Sequence, residues 1–220
     1  MRNGIVGLEL APGAQVDAPA SGVRLGGGQT GPLSLRLFRS AGTRVALAAR
    51  VLPVQLLVVR TTAAGTPVQV VTSRPPLWEP LLRGAAHGRV VPDPGGLQAT
   101  GGPSLLVDDR PAVGRTAVEI RPWQCRIDVR TQWTPAELPG FGRYDIAVFG
   151  AVPPEIAVLV SRAFALPRGA ADPLSRLDAG SFAVLRHGHV DYVSLDPTAA
   201  EGQLLDQARG AGAASARLLR

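Results

Sequence analysis

No lysine occurs in the 220 residues, and all 23 basic side chains are arginine. Schiff-base chemistry through a lysine is thereby excluded, and so is a P-loop in its usual form, which needs a lysine on the terminal phosphates. Cysteine is almost as scarce. The single Cys125 cannot close an intrachain disulfide and lacks the further thiols of a cysteine zinc site, which suits a reducing compartment. With no histidine near it in sequence, it reads as a half-buried structural thiol. Aromatic residues make up 5% of the chain and do not interleave with the arginines, which recur singly from Arg2 to Arg220. The formal charge of +6 is therefore spread out, without the basic patch that marks a nucleic-acid binder. The chain also lacks a long hydrophobic run: its most apolar stretch, VALAARVLPVQLLVV at 45–59, is broken by Arg50 and Pro53, and the N-terminus carries no signal-length apolar core. These absences predict a cytoplasmic chain with no nucleic-acid partner and no direct membrane insertion, any membrane contact passing through a partner.

What is present is an alternation of strand and helix. Residues 1–40 mix the β-like pieces GIVGLEL and LSLRLF with Gly- and Pro-rich stretches, and read as a small β-rich N-terminal arm or subdomain. From there TRVALAA, VLPVQLLVVRTTAAG and PVQVVTS read as strand, all-round apolar helix and strand, a βαβ unit that implies a parallel pair. A Trp-containing helix, PPLWEPLLRGAAHG, and the strands RVV and SLLVDD follow. TAVEIR and RIDVRTQW alternate apolar and polar residues and predict a hairpin through PWQC. Thr134 and Glu137 have capping-box spacing, which predicts a short helix. YDIAVF leads through GAVPPE into a helix with Ile156, Leu159, Val160 and Phe164 on one face, and DPLSRL reads as a short helix capped by Asp172. SFAVLR and HVDYVSL close the chain as a hairpin before a helix with a second capping box at Thr198 and Glu201, fraying in GAGAAS. The fold class expected is α/β: a Rossmann-like mixed, mainly parallel sheet with helices on both faces, plus the N-terminal arm and a C-terminal hairpin-helix. The α/β domain spans 41–210, and 211–220 reads as a flexible tail.

Such a sheet would normally hold its ligand at the carboxyl end of the first strands. ALAARVLP stands there with no G-x-G-x-x-G, and the second strand ends in Thr72-Ser73-Arg74 rather than in a ribose-binding acid. No NAD or FAD site, and no cofactor, is expected. Arg50 and Arg74 both fall at the mouth of that crevice, where two guanidinium groups would suit a phosphate or carboxylate; the alternative is two ordinary surface arginines. The strand-helix turn GAVPPE carries no nucleophile elbow. VDDR at 107–110 reads as a solvated strand end, its adjacent acids pointing to opposite sides. His187, His189 and Asp191 match the H-x-H-x-D of a zinc hydrolase. His187-Gly188, however, reads as the two-residue corner of a hairpin, Tyr192 stands where the motif has its next histidine, and the only other histidine, His87, lies upstream, so a metal site is rejected.

The run LRLFRSAGTRVALAARVLPVQLLVVRTTAAGTPVQVVTSRPPLWEPL, with VDDRP, YDIAVFGAVPPEIAVL and YVSLDPTAAEGQLL, resembles EccE-like proteins of type VII (ESX-like) secretion loci over residues 33–206. Members of that family typically begin with two transmembrane helices, and residues 1–32 carry no apolar run of that length. The resemblance implies a non-enzymatic accessory component that works by contact with secretion-complex subunits. A phosphate- or nucleotide-binding enzyme or sensor using Arg50 and Arg74 is the second reading, and a zinc hydrolase on His187 and His189 the third.

Overall fold

The structure, a computed structural model, describes residues 22–91, 102–111, 119–130, 133–134 and 138–218, with side chains to residue 215. Its strands in chain order are β1 (Val23–Gly28), β2 (Gly31–Leu35), β3 (Thr43–Ala48), β4 (Val68–Thr72), β5 (Gly88–Val91), β6 (Ser104–Asp109), β7 (Gln124–Arg130), β8 (Ile146–Phe149), β9 (Ser181–Arg186) and β10 (His189–Leu195). All belong to one sheet, in the order β2-β1-β10-β9-β8-β3-β7-β6-β4-β5. From β8 to β5 the pairings are parallel, and from β8 to β2 they are antiparallel. This is the α/β mixed, mainly parallel sheet that the alternation of strand and helix predicts. The N-terminal strands extend the same sheet through β1 against β10.

Among the described residues five α-helices flank the strands: α1 (Leu52–Ala63), α2 (Glu79–Leu82), α3 (Pro154–Ala163), α4 (Ala171–Ser175) and α5 (Ala199–Leu218). α1 has Pro53 in its first turn, where a missing amide costs nothing, and closes before Gly65. Pro53 to Val59 are all buried, because α1 is packed against β1 and β4 on one side and α2 and α5 on another. An amphipathic helix would strand a polar face there. α3 shows the opposite pattern, with Ile156, Ala157 and Val160 buried and Val158 exposed, as expected of a helix with one side in water.

Strand β3 sorts the two halves of the core by alternation. Val45 and Leu47 face the layer of α1 and α5, while Ala46 and Ala48 face α3. The small alanines leave room for an aromatic cluster in which Trp133 meets Phe141 edge-on at 4.6 Å and Phe141 stacks on Phe149 at 5.9 Å. Among the described residues no helix is long and apolar enough to cross a membrane.

Several local expectations are corrected. β3 and β4 are parallel but not neighbours, since β7 and β6 lie between them. β7 is no hairpin strand: it pairs in parallel with β3 and β6, Glu119 to Arg121 carry no strand, and residues 116–118 of the expected partner lie outside the described residues. The Trp-containing helix shrinks to a 3-10 turn, Pro75–Leu77, and the four-residue α2, because Pro80 falls in the interior of the expected helix, where it lacks an amide donor and its ring crowds the carbonyl four residues earlier. The cap of α4 falls on Ala170, with Asp172 inside the first turn. Glu137 of the first capping box lies outside the described residues, and the next helical turn is Leu138–Arg143. α5 continues through the glycines where fraying is expected, because Gly212 lies so close to Leu77 that a Cβ would collide with that side chain.

Candidate functional site

The parallel strands bring their carboxyl ends to one edge of the sheet, so this edge collects the polar residues that close each strand. Arg50 and Arg74 both stand there, but the topology separates them. With β7 and β6 between them, their strands lie three strand spacings apart, about 14 Å, so only two fully extended arginines could meet on one anion. Arg74 is already engaged: its Nη2 lies 2.5 Å from Asp109 Oδ1, and its backbone amide donates to Thr72 Oγ1. The second Asp109 oxygen accepts from Thr72 Oγ1 at 2.9 Å and from the buried Trp78 Nε1 at 2.8 Å. Arg50 is exposed and makes no hydrogen bond or ion pair among the described residues.

Asp108 and Asp109 do point to opposite sides of β6, but neither is solvated: they are 0% and 5% exposed. On the α3 side of the sheet, Asp108 and Asp128 are register partners on adjacent strands, two like charges side by side. Arg126 resolves the conflict. Its Nε donates to Asp128 at 2.8 Å and its Nη2 to Asp108 at 3.0 Å, while Arg110 grips Asp108 with two further bonds at 3.0 and 3.1 Å. The Tyr144 hydroxyl donates to Asp128 at 2.7 Å and accepts from Arg143 at 3.1 Å. Burial, with the Asp128 charge beside it, pushes the Tyr144 phenol up to about 12, so it stays a donor at neutral pH. Carboxylates held in this way fix one strand against the next, with their oxygens turned to arginine rather than to a reactant.

Sequence reasoning missed this cluster. Its signal is the pair of strings VDDR and CRIDVR, whose alternating charges look like a half-exposed hairpin until the two strands are paired. Cys125, next to Arg126 on the opposite face, is fully buried rather than half-buried, and burial raises its thiol far above the ordinary range. It is inert as a nucleophile.

His187 and Gly188 form the corner between β9 and β10, with Arg186 opposite His189 and Gly188 at a φ of 72° that glycine adopts without strain. His189 Nε2 lies 3.0 Å from Asp191 Oδ1, and Arg186 holds the other Asp191 oxygen at 3.1 Å. The Gly188 amide is anchored on the Phe164 carbonyl. Among the described residues no three His, Cys, Asp or Glu side chains are grouped as metal ligands would be.

The remaining feature of the carboxyl edge is a crevice between the ends of β3 and β8. From β3 the chain leaves over one face of the sheet into α1, and from β8 over the other into α3, so the topology reverses between these neighbours. A cavity of about 370 Å³ opens there, bordered by Ala48, Ala49, Arg50, Gly150, Asp178 and Phe182. A smaller one of about 190 Å³ adjoins it through Ala48 and Ala151, and Trp133, Phe149 and Ile156 line it.

No family model, no curated protein and no solved structure matches the chain. The residues themselves are therefore the basis for a functional reading. Of those singled out in sequence, the structure brings Arg50 to the open crevice, places Arg74 in the Asp109 cluster, and puts His187, His189 and Asp191 on a hairpin at the opposite edge from the crevice, since the β9-β10 corner lies beyond the amino ends of the parallel strands.

Proposed function

We propose that the protein is a non-catalytic docking component that presents the amino edge of its sheet to a protein partner. The observation that carries the reading is Trp123. It is 49% exposed, and its backbone is held at a φ of 65°, a left-handed conformation unfavourable to a residue with a Cβ. Its neighbours impose this geometry: the Trp123 amide donates to the Arg39 carbonyl at 2.7 Å, and its carbonyl accepts from Ser104. A strained backbone that leaves half of a large indole in water gains little stability within the chain, whereas tryptophan is among the residues that most often dominate a protein interface. The internal use of the charged groups at the carboxyl edge supports the same reading, because Asp108, Asp109, Asp128 and Arg74 are committed to one another and to neighbouring strands.

The resemblance of residues 33–206 to EccE-like proteins names the assembly in which to look: the partner is a subunit of a type VII-like secretion complex, met in the cytoplasm or at the inner membrane through that subunit. A photo-crosslinking amino acid at position 123 in cells, with the adducts identified by mass spectrometry, tests this directly. Adducts with secretion-complex subunits are the expected result. Adducts only with chaperones, or none, would overturn it. Phosphate capture between Arg50 and Arg74 finds less support, given the pairing of Arg74 with Asp109.

A further inference from the structure

We propose that the crevice between the ends of β3 and β8 binds a small monocarboxylic acid with a flat, apolar body, anchored by Arg50. The site lies where open α/β sheets place their ligands, outside the carboxyl ends of two strands whose connections leave in opposite directions. The larger cavity, about 370 Å³, is within the range of small-molecule sites, and the smaller one extends it. Arg50 differs from the other arginines of this edge. Arg74, Arg110 and Arg126 each hold a buried aspartate, whereas the Arg50 guanidinium borders the cavity with its donors uncommitted among the described residues.

The lining selects the class of ligand. Ala48, Ala49, Gly150 and Ala151 give a shallow floor on which a planar group can lie close to the backbone, and Phe182 closes one side. Beyond Ala151 the trough becomes apolar and aromatic, with Trp133, Phe149, Pro153 and Ile156. A polyphosphate is disfavoured twice over. The helices that start at this edge, α1 and α3, carry Pro53 and Pro154 in their first turns, which removes amide donors that would cradle it. Asp178 also borders the cavity. The Ser181 hydroxyl and the Gly180 amide hold its carboxylate ionised, with its titration moved below the usual range, so each added negative charge on a ligand meets repulsion. A single carboxylate pairs with the Arg50 guanidinium while its apolar body lies in the trough of Trp133, Phe149 and Ile156, which Asp178 does not line.

The full chain is titrated calorimetrically, and melted, with benzoate, phenylpyruvate and hexanoate, against inorganic phosphate and ATP. Benzoate and phenylpyruvate bind and raise the melting temperature, and hexanoate, which has no planar body, binds several-fold more weakly. Arg50→Gln weakens them at least tenfold, and Arg74→Gln leaves their affinity unchanged. Ala151→Trp fills the trough and abolishes binding, while circular dichroism verifies the fold. Absence of carboxylate binding, equal affinity in Arg50→Gln, or tighter binding of phosphate or ATP would each overturn the proposal.

Discussion

Among the described residues, two other than glycine adopt the left-handed region, Trp123 and Ala165, and they test different things. Ala165 follows the last turn of α3, where the Leu166 amide donates to the Ser161 carbonyl at 2.8 Å and the Ala165 amide to Arg162, the closure at which glycine is the favoured residue. Ala165→Gly therefore removes a conformational cost of about 1 kcal/mol. The denaturation midpoint in urea should rise with an unchanged slope. A midpoint that stays or falls would show that the Ala165 methyl makes a compensating contact. Trp123→Gly relieves the same cost but loses the packing of the half-buried part of the ring, so its effect on stability is small, while its effect on the proposed partner contact is large. Gly26 tests the opposite case. A Cβ there would run into the Ser194 carbonyl oxygen in the β1–β10 pairing, and Gly26→Ala should destabilise by about 1–3 kcal/mol in the same urea experiment.

Among the elements, α5 shows how a local motif is strengthened by a distant one. Thr198 and Glu201 form the reciprocal capping box legible in the sequence, the Thr198 amide donating to Glu201 at 2.7 Å and the Glu201 amide to Thr198 Oγ1 at 3.3 Å. What the spacing does not reveal is Arg60 at the end of α1, which grips both Glu201 oxygens at 2.8 and 2.9 Å. These hydrogen bonds from Arg60 pull the Glu201 carboxyl down to about 2 from its ordinary 4.5, at 15% side-chain exposure. Since the folded value is the depressed one, the stabilisation is present above the unfolded value and disappears as the pH falls toward 2, roughly 3 kcal/mol in all. Glu201→Gln should therefore be clearly less stable than the parent at pH 7, and most of the gap between the two urea midpoints should be gone by pH 2.5. A gap independent of pH would remove the charge from this account. The same contrast explains what the sequence makes legible. The hairpin at His187-Gly188, the apolar α1 and the second capping box depend on residues a few positions apart. The place of β7 between β3 and β6 depends on Arg126 reaching Asp108, 18 positions away in the chain, and alternation of charge has the same appearance whether its polar side meets water or another strand. Arg50 was legible as a residue of the crevice but not as one separated from Arg74, because the crossover from β3 to β4 skips two strands that arrive later in the chain.

At the scale of the molecule, the sheet joins a parallel half, from β8 to β5, to an antiparallel half, from β9 to β2, and the N-terminal strands determine whether the second half can stand without them. Leu25 and Leu35 on β1 and β2, with Leu37 just beyond, are at most 1% exposed and belong to the same core as Leu56 and Val58 of α1. β1 also covers the edge of β10, and the Arg24 carbonyl accepts from Arg60, so the hairpin ties into the network that holds α5. Each buried leucine contributes about 2–5 kcal/mol, and three of them match the whole stability of an ordinary domain, about 5–15 kcal/mol. A chain starting at residue 41 should therefore fail to unfold cooperatively by calorimetry and should expose α1 to hydrophobic dyes. Leu25→Ala alone, at about 2–4 kcal/mol, should remain folded with a lowered midpoint. Cooperative melting of the shortened chain near the parental temperature would instead mean that α1 and β10 are satisfied without the hairpin. The strands before residue 40 would then be an appendage to the α/β core rather than part of the surface on which it closes.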